Sequence, residues 1–214
     1  MKKAIYIACF LISVTSLAQS EQEYIDRQIE TIESQFEQKG ISEYFILRLY
    51  FPGASYVTLI DNTKCVPYPD SNEFIFWKEG GKNWIKRVSE CGVSSDIQLT
   101  DFKPVDFFID NSNRIEAEVV LYYSYKPDIQ VGNKTQLFTL TQSHSSIREF
   151  KFHSQNGSFT KHINTFNLTN TEDIKNLNYE YNNSLPVVIL SNECKRIVDT
   201  LNENGVFETI FRID

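Results

Sequence analysis

His144, His153 and His162 are the three histidines of the chain, and they fall nine residues apart. Imidazole is the side chain best suited to bind a transition metal or to move a proton near neutral pH. Asn156-Gly157 lies between the last two, and this dipeptide favours a tight hairpin. In that hairpin Phe150 faces Ile163 and Lys151 faces His162. His153 and His162 then become diagonal neighbours on one face, about 7–8 Å apart at the backbone. His144, in the preceding loop, is the third candidate ligand. The spacing is not that of established zinc motifs, and no carboxylate is fixed beside the rings. The expectation is therefore no metal and no cofactor, with His153, His162 and His144 as weak candidates.

Asp101, Asp106, Asp110, Glu116 and Glu118 form an acidic stretch. A glycosidase would need two carboxylates held at a set separation, and a calcium loop would need a glycine that does not follow Asp110. The stretch reads as solvated charge. The chain has no G-x-S-x-G, H-E-x-x-H, P-loop, G-x-G-x-x-G or C-x-x-C. Cys194 shares a helical face with Ile197, Val198 and Leu201, so it reads as a buried thiol rather than a nucleophile. No catalytic residue is assigned.

The aromatic residues lean toward binding. Trp77, Trp84, Tyr123 and Tyr125 belong to runs with more aromatic surface than a one-sided sheet needs. Amphipathic rings of this kind line ligand sites and interfaces. These four are the candidate binding residues, and a well-packed core is the competing use for them.

The elements that must position these groups follow from periodicity. Two aromatic runs flank Gly80-Gly81, which marks a hairpin with Trp77 opposite Trp84, Glu79 opposite Lys82 and Phe76 opposite Ile85. Before it, Glu21–Lys39 repeats apolar residues at helical spacing and stops at Gly40. Ser42–Phe51 and Ser55–Ile60 read as strands around Pro52-Gly53. Ile97–Phe102, Arg114–Lys126, Thr135–Thr141, Ile147–His153 and Phe159–Phe166 read as further strands. Thr171–Leu177 suggests a short helix, Ser191–Leu201 a longer one, and Val206–Ile213 a closing strand. The predicted fold is α+β: a predominantly antiparallel meander of about eight or nine strands with an N-terminal amphipathic helix and a C-terminal helix. A half-closed barrel with a cavity is the alternative.

Residues 1–18 read as a cleaved signal peptide: Lys2 and Lys3, an apolar run from Ala4 to Val14, then Ser16-Leu17-Ala18. Residues 19–214 are read as a single domain. Loss of the leader takes the basic residues from 21 to 19 against 28 acidic ones, which excludes a phosphate-backbone partner. No later stretch is apolar enough to span a membrane. Export to the periplasm or beyond allows a disulfide, and Cys65 with Cys91 would close the base of the tryptophan hairpin. The short leader and Asn/Lys/Ile-rich composition resemble those of bacterial exported proteins. The function expected first is a non-enzymatic binding module for a small apolar ligand, a glycan or a protein. A hydrolase with a carboxylate/histidine site and a cell-envelope assembly component are the alternatives. The sequons at Asn133, Asn156, Asn167 and Asn182 matter where the host glycosylates.

Overall fold

A computed structural model describes residues 22–52, 72–126, 137–171 and 173–207. Residues 22–39 form helix α1. The strands are β1 (Tyr44–Tyr50), β2 (Glu73–Glu79), β3 (Lys82–Ser89), β4 (Gly92–Val93), β5 (Ile97–Leu99), β6 (Ser124–Tyr125), β7 (Phe138–Thr139), β8 (Ile147–Ser154) and β9 (Gly157–Asn164). Helices α2 (Pro104–Ala117), α3 (Tyr179–Ser184) and α4 (Pro186–Glu203) complete the set, with a 3-10 turn at Thr165–Leu168.

Seven strands make one antiparallel sheet in the order β4-β3-β2-β1-β8-β9, with β5 also on the outer side of β3. A second, two-stranded ribbon joins β6 and β7. The α+β reading holds, and among the described residues the large sheet is open rather than closed into a barrel. Its order departs from a plain meander, because β8 and β9 add to the far side of β1.

Alternation along the strands gives the sheet two apolar faces. Phe45, Leu47, Phe74, Phe76, Ile85, Phe150, Phe152 and Ile163 point toward α2 and α4, where Val105, Phe108, Ile115, Val188, Leu190 and Cys194 meet them. Tyr44, Ile46, Ile75, Trp77 and Val88 point the other way, under Ile25, Ile29, Ile32 and Phe36 of α1. Each of these four helix residues contributes roughly 1.5–3 kcal/mol by leaving water, so packing rather than propensity holds α1.

The tryptophan hairpin has the expected register. Trp77 pairs with Trp84, Phe76 with Ile85 and Glu79 with Lys82. Gly80 and Gly81 take φ +60° and +75°, which a Cβ would strain.

Three local readings are corrected. Arg114–Lys126 is not a long strand, since α2 runs to Ala117 and only Ser124–Tyr125 is strand. Pro104 opens that helix: it sits in the first turn, where its missing N–H costs nothing, and Val105, Phe108 and Ile115 bury one side. The β8–β9 hairpin turns at Gln155-Asn156, so Phe150 faces Lys161 and His162 faces Glu149. Gly157 alone takes positive φ, at +124°, and Asn156 does not. The pairing thereby moves by two positions, which leaves every side chain on its expected face. The described residues of Thr171–Leu177 contain no helix, and helical turns flank them instead.

Thr135–Thr141 contributes only Phe138–Thr139 as described strand. The readings for Ser55–Ile60, the leader, Cys65, Asn133 and most of Val206–Ile213 lie outside the described residues.

Candidate functional site: a charged cleft beneath α1

On the α1 face, residues directly opposite across the strands form three rows. Glu73, Arg48, Glu149 and His162 make the first, from β2 through β1 and β8 to β9. Ile75, Ile46 and Lys151 make the second. The third is aromatic: Trp84, Trp77, Tyr44 and His153. Phe36 closes the helix onto this third row, 5.0 Å from the Tyr44 ring and 5.4 Å from Trp77. Toward the other end of α1 a cleft of about 360 Å³ remains between helix and sheet.

Ile29 and Ile46 supply apolar surface in this cleft, and Gln22 adds an amide. Asp26, Glu30 and Glu33 come from the helix, and Glu73 and Glu149 from the sheet. Arg48 and Lys151 are the cations that line it. Arg48 donates to Gln22 Oε1 at 3.2 Å and stacks over Tyr50 at 5.3 Å. Carboxylates therefore outnumber cations in a partly desolvated space, where Coulomb energies exceed those in water.

Glu73 is 9 % exposed. Burial pushes its carboxyl above the usual range; Arg48 and a hydrogen bond from Gln22 pull it down, while Asp26 and Glu149 push it further up. Glu33 is the second focus. Tyr44 Oη donates to Glu33 Oε1 at 3.3 Å, and Lys151 Nζ donates to the same oxygen at 3.1 Å. His153 Nε2 lies 3.3 Å from that oxygen without the alignment of a hydrogen bond. Burial, with Lys151 in support, holds the His153 imidazole below its ordinary range against the pull of Glu33. Its ring stacks on Tyr44 at 4.3 Å. Burial and Glu33 together raise the Tyr44 phenol.

The candidate residues from the sequence scatter. Trp77 is 2 % exposed and stacks on Trp84 at 6.3 Å, both within the core beneath α1. Tyr123 is buried elsewhere: it stacks on Phe166, its amide donates to Asn167 and its hydroxyl donates to the Ile174 carbonyl. Tyr125 meets Phe138 in the β6–β7 ribbon. The four do not converge.

Nor do the histidines. His153 faces Ser158 and His162 faces Glu149, which separates them by four positions, about 13 Å along the strand. His162 Nδ1 lies 3.1 Å from Glu149 Oε2, and His144 Nδ1 lies 3.0 Å from the Pro52 carbonyl oxygen. Among the described residues no group of three His, Cys, Asp or Glu is placed to hold a metal ion.

Of the acidic stretch, Asp106 is tied to Lys78 and Asn83, and Glu118 to Arg114. Asp101 lies near α4, beside a smaller concavity of about 160 Å³. The residues of the cleft were not singled out in the sequence. Arg48, Glu73 and Glu149 meet only because β1 sits between β2 and β8, two strands that both follow it and lie far apart in the chain. The signal present was Glu73 itself, a carboxylate opening a run that is otherwise apolar on both faces.

Comparison of the chain with protein-family models, curated proteins and solved structures gives no match.

Proposed function

We propose that the protein is a non-enzymatic binding module whose site is the cleft beneath α1, and that its ligand is a small alkyl amine carrying positive charge. One observation carries the reading: Asp26, Glu30, Glu33, Glu73 and Glu149 surround apolar surface from Ile29 and Ile46. A cationic head is favoured by the carboxylates, and an aliphatic stem by the isoleucines. A purely apolar ligand is disfavoured, because the tryptophans expected to line its site are covered by α1.

The test is a titration of the isotope-labelled protein with 1,5-diaminopentane at low salt, followed by amide shifts. The reading expects saturable shifts in α1, β1 and β8 that weaken severalfold in Asp26→Asn/Glu30→Gln and fade as salt screens the charges. No saturation up to about 10 mM, that is, binding weaker than about 2.7 kcal/mol, would remove it.

A second reading, a hydrolase, draws on Glu73 and Glu149. A carboxyl whose pKa burial raises, with a second carboxyl group near it, is the kind of pair that serves as acid and base. Under that reading Glu73→Gln abolishes turnover of a glycoside or ester panel; under the first, no turnover exists to lose.

Export is part of the proposal: the leader is removed after Ala18, and Cys65 bridges Cys91. Two observations support it. Cys91 is buried in the turn between β3 and β4, at the base of the tryptophan hairpin, and Cys194 is the free thiol among the described residues. A bridge there would add about 2–4 kcal/mol. Intact mass of the secreted protein, alkylated without and with reductant, reads both features. Retention of Met1 or alkylation of Cys65 without reductant would count against them. Among the described residues no helix is long and apolar enough to cross a membrane.

A further inference from the structure

The sheet has a second concavity, of about 260 Å³, on the face that carries α4. Leu49, Phe51, Phe74 and Val198 give it apolar walls, Arg148 and Lys195 line it as cations, and Asp199 lines it as a carboxylate. Phe51 is 45 % exposed, so part of its ring is open to solvent at the pocket.

Arg148 is the informative group. Nη1 donates to Ser191 Oγ at 2.9 Å and to Asn192 Oδ1 at 2.8 Å. Among the described residues its Nε and Nη2 groups make no hydrogen bond, and no carboxylate lies within ion-pair distance of the guanidinium. Asp199, the nearby carboxylate, is taken by Lys195 at 2.6 and 2.8 Å. Burial holds the Arg148 guanidinium below its usual range, partly offset by Asp199 and Cys194. Arg148 is half-buried and has donor groups left over, and its planar fork fits a carboxylate with two parallel hydrogen bonds.

We propose that this concavity is a binding site for a small organic carboxylate, with the carboxylate on the free fork of Arg148 and its hydrocarbon part against Phe51, Phe74, Leu49 and Val198. Lys195 is paired with Asp199, so Arg148 supplies the charge that meets the anion. The site is on the opposite side of the sheet from the charged cleft and is independent of it. An anion would be repelled by the cleft's carboxylates, so the two sites select opposite charges.

The experiment titrates the labelled protein with sodium 4-phenylbutyrate and, separately, with 4-phenyl-1-butanol, which keeps the hydrocarbon and lacks the charge. The expected result is saturable shifts at 49–51 and 195–202 and at the Arg148 Nε–H, with the acid binding at least about tenfold tighter than the alcohol, the margin of one charge-assisted pair. Arg148→Gln erases the difference between acid and alcohol, and Arg148→Lys restores part of it. Phe51→Ser, at an exposed position that folding tolerates, weakens both ligands alike. Equal binding of acid and alcohol, no saturation by either, or shifts confined to α1 would each overturn the proposal. The wild-type comparison alone decides it if the Arg148 variants do not fold.

Discussion

Asn182 bonds twice to Leu121: its Oδ1 accepts from the Leu121 amide at 2.9 Å, and its Nδ2 donates to the Leu121 carbonyl at 2.8 Å. A carboxamide offers the same donor and acceptor as a peptide group, so the side chain takes the place of a neighbouring strand. Three more asparagines extend the effect. Asn167 accepts from the Tyr123 amide, Asn176 from the Ser124 amide, and Asn178 donates to the Tyr122 carbonyl. Side-chain amides thus supply backbone partners along residues 121–124, beside the Leu140 amide that bonds the Tyr123 carbonyl.

Asn182→Ala should cost roughly 2–4 kcal/mol, two lost bonds plus the desolvation of buried groups left unpaired. Urea unfolding followed by circular dichroism measures it, and a cost under about 0.5 kcal/mol would show that water replaces the amide. Asn182 and Asn167 are fully or nearly buried, so neither sequon is reachable in the folded chain, whereas Asn156 is exposed at its turn.

This segment also marks where sequence reading reached its limit. Ile115, Ala117, Val119 and Leu121 alternate, and residues 118–125 are indeed non-helical, but their partners come from an asparagine-rich region with no strand pattern of its own. By contrast, the tryptophan hairpin and α1 were legible because each depends on contacts between near neighbours: a Gly-Gly turn, and one apolar stripe. The cleft was not legible. Arg48, Glu73 and Glu149 lie on one face by period, yet the order of β2, β1 and β8 is a long-range choice that no local pattern encodes.

Asn83 explains why α2 was missed. It is 1 % exposed on β3; its Oδ1 accepts from the Val105 amide at 2.8 Å and its Nδ2 donates to Asp106 Oδ2 at 3.0 Å. The cap therefore comes from a strand, and Lys103, the residue before the helix, makes no side-chain cap. Asn83→Ala should cost about 1–3 kcal/mol, the scale of a buried cap. Asn83→Asp keeps the acceptor but opposes Asp106, so its loss should be larger at neutral pH than in acid. Equal losses at both would refute this account.

Gly80 and Gly81 yield a third measurement. Their Cβ positions are open, so any penalty for alanine is backbone strain rather than collision. Each Gly→Ala change should cost about 1–2 kcal/mol, and Gly80→Asn distinctly less, because asparagine tolerates the left-handed region. Identical losses for Gly80→Ala and Gly80→Asn would point to some other cause.

Glu73 should give stability a specific pH dependence. Its folded-state carboxyl lies above the ordinary value of 4.5, chiefly through burial, so the native state holds this proton more tightly than the unfolded chain. Stability from this group is complete below about 4.5 and is lost as pH rises through the folded value. His153 has the opposite sign: its lowered value makes stability fall as pH drops below its ordinary 6.5. The two trends overlap, so the informative quantity is the difference between wild type and Glu73→Gln across pH. The variant should be relatively more stable at pH 7 than at pH 4, because an amide carries no charge to desolvate. If the difference is flat, or if Glu73→Gln gains stability toward acid, Arg48 compensates the buried charge fully and the cleft does not bias Glu73 toward its protonated form.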